Sequence, residues 1–161
     1  MIRSGTPADA GAVAQIWNRV ITETTITFNP VPKSDAEVAA LIAAKAEAGL
    51  GFLVCEVAGQ VAGFATYGQF RAGEGYRHTA EHSILLAPAA HGRGLGRALM
   101  AALSNHAAAA GYHSLWAGVS AENPAGLAFH RAVGFSEIAT LPEVGFKFGR
   151  WIDLVLMQKR L

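Results

Sequence analysis

The sequence predicts an α+β fold, with a mixed sheet flanked by helices. Three observations carry the prediction. Two helical patterns are followed by two apolar runs around a short turn. The second half alternates strand, helix, strand, helix before two further extended stretches. Between the halves, a glycine-rich turn joins an apolar strand to a long helix. Runs of strand and helix mixed in this order form a sheet with helices packed on it. At 161 residues the chain suffices for one domain, residues 1–161, with a sizeable core.

Ile2-Arg3 opens a short strand. Thr6-Pro7-Ala8-Asp9 starts a helix, with a capping threonine, proline at the first helical position and an acid in the first turn. Ala10, Val13, Ile16, Trp17 and Val20 mark its apolar face. Ile21 to Lys33, rich in threonine and holding Pro30 and Pro32, reads as a loop. Phe28 on that loop fits two roles, an anchor to the core or a wall of a substrate pocket. Ser34-Asp35-Ala36-Glu37 has capping-box spacing, and a second helix follows to Ala48. Phe52–Val57 and Val61–Tyr67 flank Ala58-Gly59-Gln60 as an antiparallel hairpin. Gly68 to Thr79 is polar and aromatic and leads to a strand over Ala80–Ala87, which Pro88 ends.

The long helix runs from Gly94 to Ala110, with Leu95, Leu99, Ala102 and Leu103 at helical spacing and Gly111 as its C-terminal cap. Ser114–Val119 reads as a strand, and Asn123-Pro124 begins a helix that ends at Gly134. Phe135–Ala139 and Ile152–Gln158 read as extended, with a glycine- and aromatic-rich segment, Pro142 to Trp151, between them.

Composition narrows the function classes. The chain is 52% hydrophobic and 16% charged, with a net charge of +1 and no long basic run, which argues against nucleic acid as a partner. No charged start precedes an apolar run, and no segment is long enough to span a bilayer, so neither a signal peptide nor membrane association is expected. Cys55, the sole cysteine, lies in an apolar strand and reads as a buried small hydrophobe. These features predict a cytoplasmic protein. The histidines show no metal-ligand spacing, so no metal is expected.

The turn His91-Gly92-Arg93-Gly94-Leu95-Gly96 carries the chemistry. The first N–H groups of a helix have no internal partner and lie at the positive end of its dipole. Glycines let an anion approach them, and Arg93 and Arg97 add charge, so the turn reads as a phosphate or pyrophosphate cradle. The turn lacks the Gly-Lys-Ser/Thr ending of a P-loop. Its glycines are spaced G-x-G-x-G, not the G-x-G-x-x-G of dinucleotide folds, and the next acid, Glu122, comes too late for a ribose contact.

The spacing instead resembles the acetyl-CoA loop of GCN5-related N-acetyltransferases, Gln/Arg-x-x-Gly-x-Gly/Ala, with His91, Gly94 and Gly96 aligned and histidine in place of the usual first residue. Asn123-Pro124-Ala125-Gly126-Leu127-Ala128-Phe129-His130, followed by Gly134-Phe135, resembles the second signature of that superfamily. Tyr67-Gly68, Phe70-Arg71, Glu81-His82-Ser83, Phe129-His130-Arg131 and Lys147-Phe148-Gly149-Arg150-Trp151 with Asp153 resemble its phosphinothricin and methionine-sulfoximine subgroup. The resemblance covers nearly the whole chain. It implies a mixed, mostly antiparallel sheet that splays at its central strands, with acetyl-CoA as co-substrate and a small primary amine as acceptor.

It also implies roles. Glu81 is the candidate base that deprotonates the amine, directly or through water. Main-chain N–H groups of Ile84, Leu85 or Leu86 are oxyanion donors, and the same backbone pairs with the pantetheine arm. His91, Gly92, Arg93, Gly94, Leu95, Gly96 and Arg97 cradle the pyrophosphate, and Asn123 binds the cofactor or caps its helix. His130 stands where many members carry a tyrosine acid, and either protonates the thiolate or shapes the cleft. His82 alternates to the opposite strand face from Glu81, which suits a structural role. Arg71 and Arg77 are forked donors for a substrate carboxylate, with Phe28, Phe70 and Tyr76 as walls. Lys147 and Arg150 complete the pocket, if need be across a homodimer, or cover the sheet edge. A peptide or protein amine as acceptor, and a non-catalytic acyl-CoA sensor, are the competing readings.

Overall fold

The computed structural model describes residues 1–161. The elements are β1 (Ile2–Ser4), α1 (Ala10–Glu23), α2 (Asp35–Glu47), β2 (Phe52–Val57), β3 (Gln60–Gln69), β4 (Thr79–Leu86), α3 (Leu95–Ala109), β5 (Ser114–Ser120), α4 (Pro124–Ala132), β6 (Ser136–Lys147) and β7 (Arg150–Arg160). Seven strands form one sheet in the order β1-β2-β3-β4-β5-β7-β6. Neighbours are antiparallel except β4 and β5, which are parallel. No helix is long and apolar enough to cross a membrane.

Local chemistry explains the starts and turns. Asp9 accepts hydrogen bonds from the Thr6 N–H and hydroxyl ahead of α1, and Arg3 holds it with two guanidinium nitrogens at 2.8 Å. Ser34 and Glu37 satisfy each other's backbone N–H groups at the start of α2. Ala58 and Gly59 both have positive φ, the geometry that matches the twist of a two-residue hairpin between β2 and β3.

The sheet is covered on both faces. Val13, Val38, Ile42, Val54 and Phe64 pack between it and α1/α2, while Leu99, Met100, Leu103, Leu115 and Met157 pack under α3. Coverage of both faces explains why Ala62 to Tyr67 is buried without alternation. Cys55 lies in this core, and burial pushes its thiol up, away from reactivity.

Two boundaries differ from expectation. Helix α1 continues to Glu23, so the loop begins at Thr24. The segment Pro142–Trp151 is mostly strand, because β6 runs through Lys147 and β7 starts at Arg150. Its alternation is real at the end, with Gly145 and Lys147 buried between exposed Val144, Phe146 and Phe148. A register shift between Leu141 and Gly145 breaks the period that a sequence reading relies on.

The feature that positions the site is a parting of strands. β4 and β5 pair only at Thr79↔Ser114, Ala80↔Leu115 and Glu81↔Trp116. Beyond Glu81, β4 continues with β3 to Leu86, and β5 continues with β7 to Ser120. The expected splay therefore opens directly after Glu81.

Candidate active site

The parting leaves main-chain groups unpaired. Antiparallel ladders alternate, so a residue turns both its N–H and C=O to one neighbour. Phe70 N–H donates to Thr79 O and Ala87 N–H to Ala62 O, which fixes the odd-numbered residues of β4 toward β3. Ile84 and Leu86 therefore turn their N–H and C=O groups to the side that β5 has left. Leu85, expected with them as a donor, spends its main chain on β3 and offers its side chain to the site instead.

Two cavities meet here. One, of about 570 Å³, runs between α1, the end of β4 and the start of α4. The other, of about 180 Å³, lies in the gap itself, against His82, Ser83, Ala117, Gly118 and Val119. Ile26, Ile84, Leu85, Asn123 and His130 line both, so the two are contiguous. The contribution of α1, through Gln15, Arg19 and Glu23, and of Thr24 was not legible in the sequence, where the helix showed only its apolar face.

The glycine turn sits at the far end. Gly94 caps α3 in the left-handed region at φ 73, a conformation that only glycine adopts without strain. Gly96 is buried, and a Cβ there would stand 3.1 Å from Leu86 and 3.2 Å from Phe129. His91, Gly92, Arg93 and Gly94 are exposed, and His91 lines the large cavity. Leu95 packs on the core, and Arg97 donates to Ala132 O at the end of α4 rather than pointing into the cradle. Asn123 caps α4 through Oδ1, 2.9 Å from Gly126 N, and its amide nitrogen has no protein partner. An open helix start, a cradle that side chains would fill and a free main-chain edge fit the pyrophosphate and pantetheine arm of a coenzyme A thioester.

Glu81 stands at the last paired position. Its carboxylate lies 3.1 Å from where a Cβ on Gly118 would be, so glycine there keeps its place beside the gap. It retains solvent access, yet burial raises its pKa above the ordinary carboxylate range. Phe70 stacks near Trp116, the β5 residue paired with Glu81, at 5.3 Å between rings.

His82 and His130 are brought together from the other face. His82 lies 3.1 Å from His130 between their Nε2 atoms, and both are buried. Burial lowers the proton affinity of both rings; His82 is pushed down to about 3, by burial first and the charge of His130 second.

Glu81 and Phe70 line neither cavity, and the remaining predicted residues also lie apart from both. Arg77 is exposed and paired with Glu74 at 2.6 Å, and Arg71 and Tyr76 are exposed beside it. Phe28 packs over Gly145, where a Cβ would overlap its ring. Lys147 is buried and donates to Thr24 O at 2.6 Å and Thr27 O at 2.8 Å, and burial lowers its pKa. Arg150 pairs with Glu122, which also accepts from Thr25. Lys147 and Arg150 thus hold the loop that lines the site.

A sheet parted at its parallel pair, with a glycine-started helix beside the gap, is the architecture of a coenzyme A-dependent acetyltransferase. A profile of the Acetyltransferase (GNAT) family matches residues 17–135. The chain belongs to that family. It is 38% identical over 160 residues to an L-methionine sulfoximine/L-methionine sulfone acetyltransferase of Salmonella typhimurium, covering 99% of this chain and 94% of the relative. It is 40% identical over 154 residues to a phosphinothricin N-acetyltransferase of Alcaligenes faecalis, covering 95% and 78%. An acetyltransferase of Salmonella typhimurium solved with acetyl-CoA superposes with a TM-score of 0.96 at 37% identity, over 100% of this chain and 93% of that one.

Proposed function

We propose that the protein transfers an acetyl group from acetyl-CoA to the primary amine of a small amino-acid analogue of the methionine sulfoximine, methionine sulfone or phosphinothricin type. The observation that carries this is the position of Glu81, a carboxylate of raised pKa at the point where β4 and β5 part. Glu81 takes the proton of the substrate ammonium, directly or through water, and frees the amine to attack the thioester carbon. The C–N bond forms, the nitrogen releases its second proton to solvent, and the C–S bond breaks. Ile84 and Leu86 main-chain N–H groups stabilise the charge that develops on the carbonyl oxygen. His130 supplies a proton to the departing sulfur. His91, Gly92, Arg93, Gly94 and Gly96, with the main chain of Leu95 and Arg97, bind the pyrophosphate end, with Asn123 on the opposite wall. Arg71 and Arg77 meet the substrate carboxylate if the Glu74 pair opens, and Phe28, Phe70 and Tyr76 wall the amine side. The exposed Phe146, Phe148 and Trp151, at 53%, 59% and 60%, support a homodimer built on the β6–β7 hairpin. The single buried thiol supports a cytoplasmic location.

A thiol-release assay with acetyl-CoA against amino-acid analogues, peptides and polyamines tests the reading. The expected result is turnover with methionine sulfone, methionine sulfoximine or phosphinothricin at the highest kcat/KM. Preference for peptides overturns the substrate class, and tight CoA binding without turnover on any amine overturns catalysis. Sedimentation at micromolar concentration decides the dimer.

A further inference from the structure

The two buried histidines make three contacts that two neutral rings cannot satisfy. His82 Nδ1 lies 2.8 Å from Trp116 O, and His130 Nδ1 lies 2.7 Å from Gly126 O. Carbonyl oxygens only accept, so each outer contact uses a ring N–H. Two neutral imidazoles carry one N–H each, and both are then spent. What remains is a pair of bare Nε2 atoms facing each other at 3.1 Å. Placing the proton in the middle contact instead sets a lone pair against a carbonyl oxygen at one end. With the rings in this orientation, every neutral tautomer leaves one repulsive contact in a buried site, where an unmade hydrogen bond is costly.

We infer that His82 and His130 share one additional proton across the Nε2···Nε2 contact, and that His82 is a positioning residue that holds this proton on the wall of the site. The inference rests on the proposed role of His130 as the proton source for sulfur. His130 lines both cavities and His82 lines the smaller one, so the pair forms part of the wall of the site. The surroundings limit the pair to one extra charge. Phe129 and Phe135 pack edge-on against His130, and Phe135 also packs on His82. Burial and Lys159 on β7 act against even this one proton, the bonds to the Trp116 and Gly126 carbonyls act for it, and a second would add the repulsion of two charged rings. Glu81 extends from the opposite face of β4, and neither ring bonds a carboxylate.

The proton balance is simple. When the His130 Nε2–H donates to a thiolate, the N–H bond breaks and an S–H bond forms. The pair is left with two protons, both in its outer bonds. The two facing lone pairs then favour recovery of one proton from solvent, which resets the pair for the next turnover.

Nitrogen-15 NMR of the histidine-labelled full chain, followed through a pH titration, tests the pair. Both Nδ1 atoms are expected to be protonated, and the two Nε2 signals are expected to share one proton and move together. In His82→Phe, kcat is expected to fall by about tenfold to a hundredfold with a shifted pH profile and little change in either KM. His82→Gln, whose amide can reach His130 Nε2, is expected to recover part of that loss. Independent titration of the two rings, or an Nδ1 without its proton, overturns the shared proton. A shared proton in the spectrum with kcat and pH profile unmoved in both His82→Phe and His130→Gln overturns the donor role and the assignment of His130 as acid, while Glu81 and the amine chemistry stand.

Discussion

The cofactor side and the amine side of the site are built in opposite ways. The proposed cofactor side is local: residues 91–97 make a turn and a helix start whose backbone is open. The amine side is assembled from afar. Lys147 reaches Thr24 across 123 positions of sequence to hold the loop that lines both cavities. Glu81 owes its place to glycine at position 118 on the neighbouring strand. A cradle made of backbone tolerates side-chain change but not conformational change. A wall made of distant side chains fails one contact at a time.

The largest expected effect comes from Glu81, where the sides meet. Glu81→Gln is expected to lower kcat/KM by about a hundredfold to a thousandfold, with acetyl-CoA affinity unchanged. The wild-type rate should rise with pH through the raised pKa, since the base works ionised, and the variant should lose that limb. The sign for stability is opposite. A carboxyl whose folded pKa is raised binds its proton more tightly when folded, so its contribution is present at low pH and lost as pH rises through that pKa. The glutamine should therefore unfold at a slightly higher temperature at neutral pH. A variant that is less stable and fully active would place Glu81 outside the chemistry.

Next comes the cradle. Gly94→Val forces a β-branched residue into φ 73, with strain of about 1–3 kcal/mol. Calorimetry with acetyl-CoA should show affinity weakened by about tenfold, with amine KM unaffected. An equal effect on both substrates would erase the distinction between the two sides.

Lys147→Met should do the reverse. Removing the ammonium leaves the Thr24 and Thr27 carbonyls without their donor, a loss of about 1–3 kcal/mol in chemical denaturation. Amine KM should rise several-fold, with acetyl-CoA binding retained. The lowered pKa of Lys147 means that the clamp also weakens as pH rises through that value.

Arg150→Ala should matter least. Its pair with Glu122 is solvent-exposed, and such pairs contribute about 0–1 kcal/mol. A change in amine KM comparable to that of Lys147→Met would show that Arg150 touches the substrate itself.

These contrasts explain what could be read in advance. Glu81 and His82 fall on opposite faces because strand alternation is a property of the chain. The cradle, the Ser34 cap and the hairpin at Ala58-Gly59 are likewise set by residues within a few positions of one another. The full length of the β6–β7 hairpin is not legible because the bulge before Gly145 interrupts its period. Arg71 and Arg77 are forked donors by residue type, but the sequence does not show that Arg77 already has Glu74 as a partner. Nothing near His130 in sequence announces His82, 48 positions away.

By itself the sequence determined the turn conformations, helix starts, strand faces and the family they spell, because local sterics and hydrogen bonding act over short spans. Only the tertiary structure decided where β4 and β5 part, that Lys147 clamps the loop at Thr24, and that two histidines share a buried contact. Those depend on which distant backbones come to lie side by side, and that is settled by the packing of the whole sheet.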